Sequence, residues 1–135
     1  MMNTKPCELC VSHGGEVLRD DGFARVVLVN DADHPGFCRV ILNAHVKEMT
    51  DLGEPERARL MDVVYEVERA LRELLAPEKI NLACFGNVVP HLHWHLIPRF
   101  ADDPHFPNPV WGVKQREGAH ALPAGFARAM QKRLA

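Results

Sequence analysis

Between residues 15 and 43 the apolar positions come in short runs parted by turn chemistry. The runs cover 16–19, 24–29 and 37–43, and the breaks are Asp20-Asp21-Gly22 and the stretch 31–36, which ends in Pro35-Gly36. Runs of this length, rich in Val, Leu and Ile and closed by Asp-Gly or Pro-Gly, predict a meander of strands with a tight hairpin at Asp21-Gly22. The period then changes. Met61, Val64, Val67, Leu71 and Leu74 or Leu75 recur at three- and four-residue steps while Glu66, Arg69, Arg72 and Glu73 occupy the other face, which predicts one long helix over about 55–75. Two more apolar runs, 80–85 and 91–98, predict two further strands. A short C-terminal helix is expected from Pro123, with Arg128, Lys132 and Arg133 toward its end, where the dipole favours cations. Strands, one long helix, then strands again imply an α+β domain: an antiparallel five-stranded sheet covered on one face by the helix.

A chain of 135 residues suits a single domain over 1–135, large enough to bury about two-thirds of its unfolded surface. Residues 1–14 form an N-terminal segment and 100–135 a C-terminal tail, with a Pro/Asp-rich loop over 102–109. A formal charge of -2 with scattered Lys and Arg offers no basic stripe, so polymeric nucleic acid is excluded as the expected partner. No apolar run approaches the roughly 20 residues of a bilayer span, and no charged start leads into an apolar signal core; a soluble, cytoplasmic protein is expected. Cys7, Cys10, Cys38 and Cys84 are then expected as thiols. Cys38 and Cys84 lie in apolar runs and read as core residues.

The chemistry concentrates at 90–97, Pro-His-Leu-His-Trp-His-Leu-Ile. His91, His93 and His95 alternate with Leu92 and Trp94, so on a strand the three imidazoles share one face and the apolar residues form the buried one. Same-face neighbours lie about 6.6–6.8 Å apart, too far for one flat strand to aim all three at a single metal. Phosphoryl chemistry suits the row better. A neutral imidazole is a nucleophile near pH 7, since its ordinary pKa is about 6.5, and a protonated neighbour can bond a phosphate oxygen or protonate a leaving group. His93, flanked on both sides, is the natural nucleophile, with His95 serving the phosphate and leaving group. A polar strand face or a tag remnant is the plainer alternative, but tags are terminal and contiguous whereas this cluster is internal and alternating.

The string 86–96, Gly-Asn-Val-Val-Pro-His-Leu-His-Trp-His-Leu, resembles the signature of the histidine triad family. Upstream, Leu28-Val29-Asn30, then Pro35-Gly36, an apolar strand, and Asn43-Ala44-His45-Val46 resemble the nucleotide-binding half of the same family. The resemblance implies a nucleoside monophosphate moiety with its base against the first strands, its ribose hydroxyls near Asn30, its α-phosphate at the triad, and Asn87 contacting phosphate from the loop before it. It also implies a homodimer. Relatives often carry Ser or Thr three residues before the first triad histidine, where this chain has Val88, so phosphoramidate hydrolysis is the less supported reaction. Asn108-Pro109-Val110-Trp111-Gly112 is similar to a bacterial branch labelled diadenosine tetraphosphate hydrolases.

Cys7 and Cys10 have the gap that lets two thiolates reach one tetrahedral Zn²⁺. Some triad proteins and the related uridylyltransferases complete such a pair with residues matching His45 and His91, so the resemblance implies a structural zinc held by Cys7, Cys10, His45 and His91, leaving His93 nucleophilic and His95 assisting. His13 is a rival ligand. A thioredoxin-like redox pair would need a preceding strand and a following helix, which the sequence does not show. His34, His105, His120 and Trp111 read as surface groups. The function expected is a hydrolase that releases nucleoside monophosphate through a nucleotidyl-histidine, with nucleotidyl transfer to a phosphate acceptor, or nucleotide binding without useful turnover, as alternatives.

Overall fold

The structure is a computed structural model that describes residues 6–118 and 120–135. A single turn of helix, α1 (Glu8–Val11), precedes strands β1 (Glu16–Asp20), β2 (Ala24–Leu28) and β3 (Cys38–Leu42). Helix α2 (Glu54–Leu75) follows, then β4 (Lys79–Ala83), β5 (His93–Arg99) and α3 (Phe126–Leu134). The strands form one antiparallel sheet in the order β1-β2-β3-β5-β4, so the fold is α+β with five strands and a covering helix, as the sequence predicts. Among the described residues no helix is long and apolar enough to cross a membrane.

Helix α2 begins after Gly53 with Pro55 in its first turn and with Glu54 and Glu56 against the positive end of its dipole. It stops at Ala76, which takes the left-handed conformation ahead of Pro77 and bonds back to Arg72. Its buried stripe is Leu60, Val63, Val64, Val67, Ala70 and Leu71, centred slightly earlier than the periodicity suggests, because Met61, Leu74 and Leu75 lie at the edge of the contact. This stripe packs on Val26, Val40, Leu42, Ile80 and Leu96 from one face of the sheet, and Phe126, Met130 and Leu134 of α3, four residues apart, close the core. Gly125, with a positive φ, starts α3 at Phe126 instead of Pro123.

Two expectations change on the opposite face. The last strand begins at His93, two residues late, because Pro90 is followed by a tight turn in which the His91 N–H bonds Val89 O. Leu92 instead exchanges bonds with Val46 and Leu42. The histidine face is also not the open one: His91 is fully buried and His93 nearly so. The cause is the N-terminal segment, which lays Leu9 on Val27 and Ile41. Arg25, buried on β2, pins that segment by donating to the carbonyls of Leu9, Ser12 and His13 and to Asn43 Oδ1. Gly14 lets the chain leave α1, since a Cβ there would sit 2.9 Å from both Ile41 and Leu9 side chains at a positive φ.

Beyond β5, Asp103 folds the loop back. It accepts from Arg99 and from the backbone N–H groups of Phe100, His105 and Phe106. This brings His105 to His34, with Nδ1 and Nε2 3.1 Å apart, and buries His34. His120 stacks on Phe100 at 3.7 Å. These three histidines are therefore packed, not surface groups, because the Arg99–Asp103 pair organises a loop that composition alone marks only as irregular.

Candidate active site

His93 and His95 stand on one face of β5 with ring centroids 4.9 Å apart, and both border a cavity of about 520 Å³. His93 Nδ1–H donates to the carbonyl oxygen of His91 across 2.6 Å. With the proton fixed on Nδ1, Nε2 keeps its lone pair, which is the form a nucleophilic imidazole needs. His95 is half-buried between Phe37, whose ring meets it edge-on at 5.5 Å, and Phe85 at 5.9 Å. Burial first, then the charges of His93 and Arg39, push its pKa down to about 4, so it is neutral at pH 7.

The loop between β4 and β5 supplies the rest of the wall. Gly86, Asn87, Val88 and Val89 border the same cavity as His93 and His95. Val88 is 93% exposed there, and no hydroxyl stands in its place. Trp111 is 65% exposed, as expected of a surface group, and its ring meets Phe85 edge-on at 4.9 Å beside the cavity. Asn30 is not in this cavity. It borders a neighbouring one of about 450 Å³ with Gly15, Leu28, Val29, Pro35, Gly36 and His120. Two residues missed in the sequence join the picture. Arg25 holds the N-terminal segment, and Arg39 pairs in register with His95 and borders the triad cavity. The signal for both was available: a lone Arg inside an otherwise apolar strand.

His91 does different work. Its Nε2–H donates to Leu42 O at 2.6 Å, so Nδ1 is bare and faces a cluster of donors. Cys7 Sγ lies 3.3 Å from that Nδ1, Cys10 Sγ lies 3.5 Å from it and 3.4 Å from His45 Nδ1, and the two Nδ1 atoms are 3.3 Å apart. With sulfur at about 2.3 Å and nitrogen at about 2.0–2.1 Å from Zn²⁺, tetrahedral edges are about 3.3–3.8 Å, so these four residues fit the ion. Burial holds the His91 pKa below its ordinary value, the Leu42 bond opposing, and a neutral ring is the ligating form. The backbone bond at Nε2 is the outer support that ligating histidines usually have. His13 is outside the cluster; its carbonyl serves Arg25. Cys38 is fully buried in the core, where burial pushes its thiol up to about 12, and Cys84 packs at the core's edge.

The family model described as the HIT domain matches residues 14–102. The curated protein of Mycobacterium tuberculosis named AP-4-A phosphorylase is 29% identical over 87 residues, covering 60% of this chain and 45% of that protein. The chain thus spans about half the length of the curated relatives it matches. Among solved structures, a histidine triad protein of Bradyrhizobium japonicum is 31% identical with a TM-score of 0.77, covering 91% of this chain and 92% of that one. A histidine triad (HIT) protein of Sinorhizobium meliloti is 29% identical with a TM-score of 0.74, covering 97% and 95%.

Proposed function

The chain belongs to the HIT-domain family, and from that premise we propose that it is a nucleotide hydrolase in which His93 attacks the α-phosphorus of a dinucleoside polyphosphate-like substrate. The observation that carries this reading is the His93 bond to the His91 carbonyl, which frees Nε2 at the border of the cavity. The Nε2–P bond forms as the P–O bond to the leaving phosphate breaks, and the electron pair leaves with that oxygen. Water then adds to phosphorus, the P–N bond breaks, and nucleoside monophosphate departs while the proton of the water passes to solvent. Asn87 holds a phosphate oxygen, and Asn30 in the adjoining cavity holds the ribose.

The leaving group is an anhydride phosphate. An amine leaving group needs a proton as it departs, and the groups that could give one are weak here: Val88 carries no hydroxyl, and His95 holds a proton only near pH 4. A phosphate leaves as an anion near neutral pH without that help. Cys7, Cys10, His45 and His91 would hold Zn²⁺, and an ion held by four protein side chains would supply stability and no catalytic water. The protein acts on soluble nucleotides in the cytoplasm, as a homodimer; β4 is an open sheet edge bearing exposed Leu82.

Quenching a reaction with nucleotide labelled at the α-phosphate tests the scheme. Label should remain on the protein through an acid-labile bond, and hydrolysis should proceed with retention at phosphorus, because two in-line displacements each invert. Inversion would replace it with direct water attack. The name of the mycobacterial relatives favours a second reading, transfer to inorganic phosphate instead of water. Nucleoside diphosphate formed on adding phosphate would decide for it.

A further inference from the structure

We propose that Arg39 is an anion-binding residue that grips the phosphate next to the scissile bond and so selects phosphoanhydride-linked nucleotides. The inference rests on the triad cavity being the reaction site, and on the state in which this arginine is held.

Arg39 interrupts an apolar strand, between Cys38 and Val40, and faces the side of the sheet that carries His93 and His95. A half-buried guanidinium in such a place should have its donors and charge met. They are not. Its Nη1 makes one bond, 3.2 Å to Gly14 O, and Nε is buried without a partner. Among the described residues the ion pairs of the other arginines, such as Arg19–Glu66 and Arg99–Asp103, do not include it. Glu8, the carboxylate that borders the cavity, is not within ion-pair distance of it.

Arg25 supplies the control within the same molecule. It also sits in a strand interior on this face, but every nitrogen of its guanidinium is bonded, to three carbonyls and an amide oxygen. Arg25 is a structural clamp, whereas Arg39 keeps most of its five N–H donors for something else. What suits them is a group that accepts a planar fork of donors and carries negative charge, which is a phosphate. Place decides which phosphate. Arg39 is the register partner of His95, while His93 is opposite Ile41. A phosphate chain that leaves a phosphorus held at His93 and follows β5 passes His95 and reaches Arg39.

The test uses inorganic pyrophosphate, with no nucleoside and no turnover, in calorimetric titrations of wild type, Arg39→Gln and Arg39→Lys. Loss of a charged, bidentate contact should weaken pyrophosphate binding by about 10- to 100-fold in Arg39→Gln, with an intermediate loss in Arg39→Lys, while nucleoside monophosphate affinity stays within about threefold. In turnover, kcat/KM for a dinucleoside tetraphosphate should fall by a similar factor and that for a nucleoside phosphoramidate should not. Pyrophosphate binding that is undetectable in wild type, or equal in all three proteins, overturns the proposal. So does an equal loss for monophosphate and pyrophosphate, which would place Arg39 on the α-phosphate. If Arg39→Gln does not fold, Arg39→Lys alone decides by the same comparison. If wild type binds pyrophosphate through Arg39 and yet hydrolyses no nucleotide, the reading as a hydrolase fails and the anion site stands.

Discussion

His93 donates its Nδ1–H to the carbonyl oxygen of His91 across 2.6 Å, so the backbone of one triad histidine sets the tautomer of the next. No separate base is then needed to make His93 Nε2 reactive. Replacing His93 by Ala, or by Asn, should lower kcat by at least about 10³-fold while Kd for nucleoside monophosphate changes by less than about tenfold, because the imidazole acts in the transition state and ribose and base contacts are elsewhere. Single-turnover kinetics with a dinucleoside polyphosphate, beside equilibrium binding, checks this. An alanine variant within tenfold of wild-type turnover removes His93 as nucleophile.

Two residues before His93, His91 should behave quite differently. If it helps hold Zn²⁺ with Cys7, Cys10 and His45, the protein purifies with about one zinc per chain, and Cys7→Ser loses it together with several kcal/mol of stability, as in other sites where metal binding is coupled to folding. Turnover of the folded fraction should fall far less than in His93→Ala. Elemental analysis and thermal unfolding of tag-free protein give the answer; absence of stoichiometric metal, or a chemical step that needs metal in a protein still folded, ends this assignment.

The shared face of His93 and His95 was readable because a strand has a period of two, and the long helix because its apolar spacing has the helical period; His91, in the turn before β5, lies outside that rule. What the sequence did not carry was the third dimension over the histidine face. The implied zinc set brought Cys7 and Cys10 to His91, but Leu9 lies far from Ile41 in sequence, so nothing local announced that its side chain would pack on this face. The same holds for His34 and Asp103, brought together by a loop that reads as irregular because its order comes from one buried carboxylate. Asn30 lies just beyond β2, and a pattern along the chain cannot say which of two neighbouring cavities it borders. Arg39 and Arg25 were overlooked although each stands out as a lone Arg in an apolar strand, because the pattern does not say what such an arginine meets.

The carboxylate of Asp103 is buried, and burial alone would raise its pKa. The guanidinium of Arg99 and three backbone N–H groups outweigh that and hold it well below the usual carboxylate range. Because the folded pKa is depressed, the stabilisation is complete above the unfolded value of about 3.9 and is lost as pH falls from there toward the folded value. Asp103→Asn keeps the shape but leaves Arg99 uncompensated, and should cost about 3 kcal/mol at pH 7. The difference from wild type should shrink in acid. Denaturant melts at pH 7 and pH 3 measure it, and a constant difference would show that charge is not the cause.

His95 gives the last prediction, since its environment is set for a neutral ring. Its pKa is about 4, depressed by burial and then by the charges of His93 and Arg39. A histidine whose folded pKa lies below the unfolded 6.5 costs the fold stability as pH drops from about 6.5 toward 4, where the unfolded chain takes up the proton first. Occupancy by phosphate should reverse the local balance. An anion between His95 and Arg39 offsets the guanidinium's charge and hydrogen-bonds the imidazolium, so the pKa should rise by one unit or more on saturation with pyrophosphate. Two-dimensional NMR titration of the histidine ring signals, assigned through His95→Gln, resolves both states. A pKa near 6.5 in the free protein, or one unmoved by phosphate, would mean that His95 does not sense the anion, and its place in the reaction would pass to another group on the cavity wall.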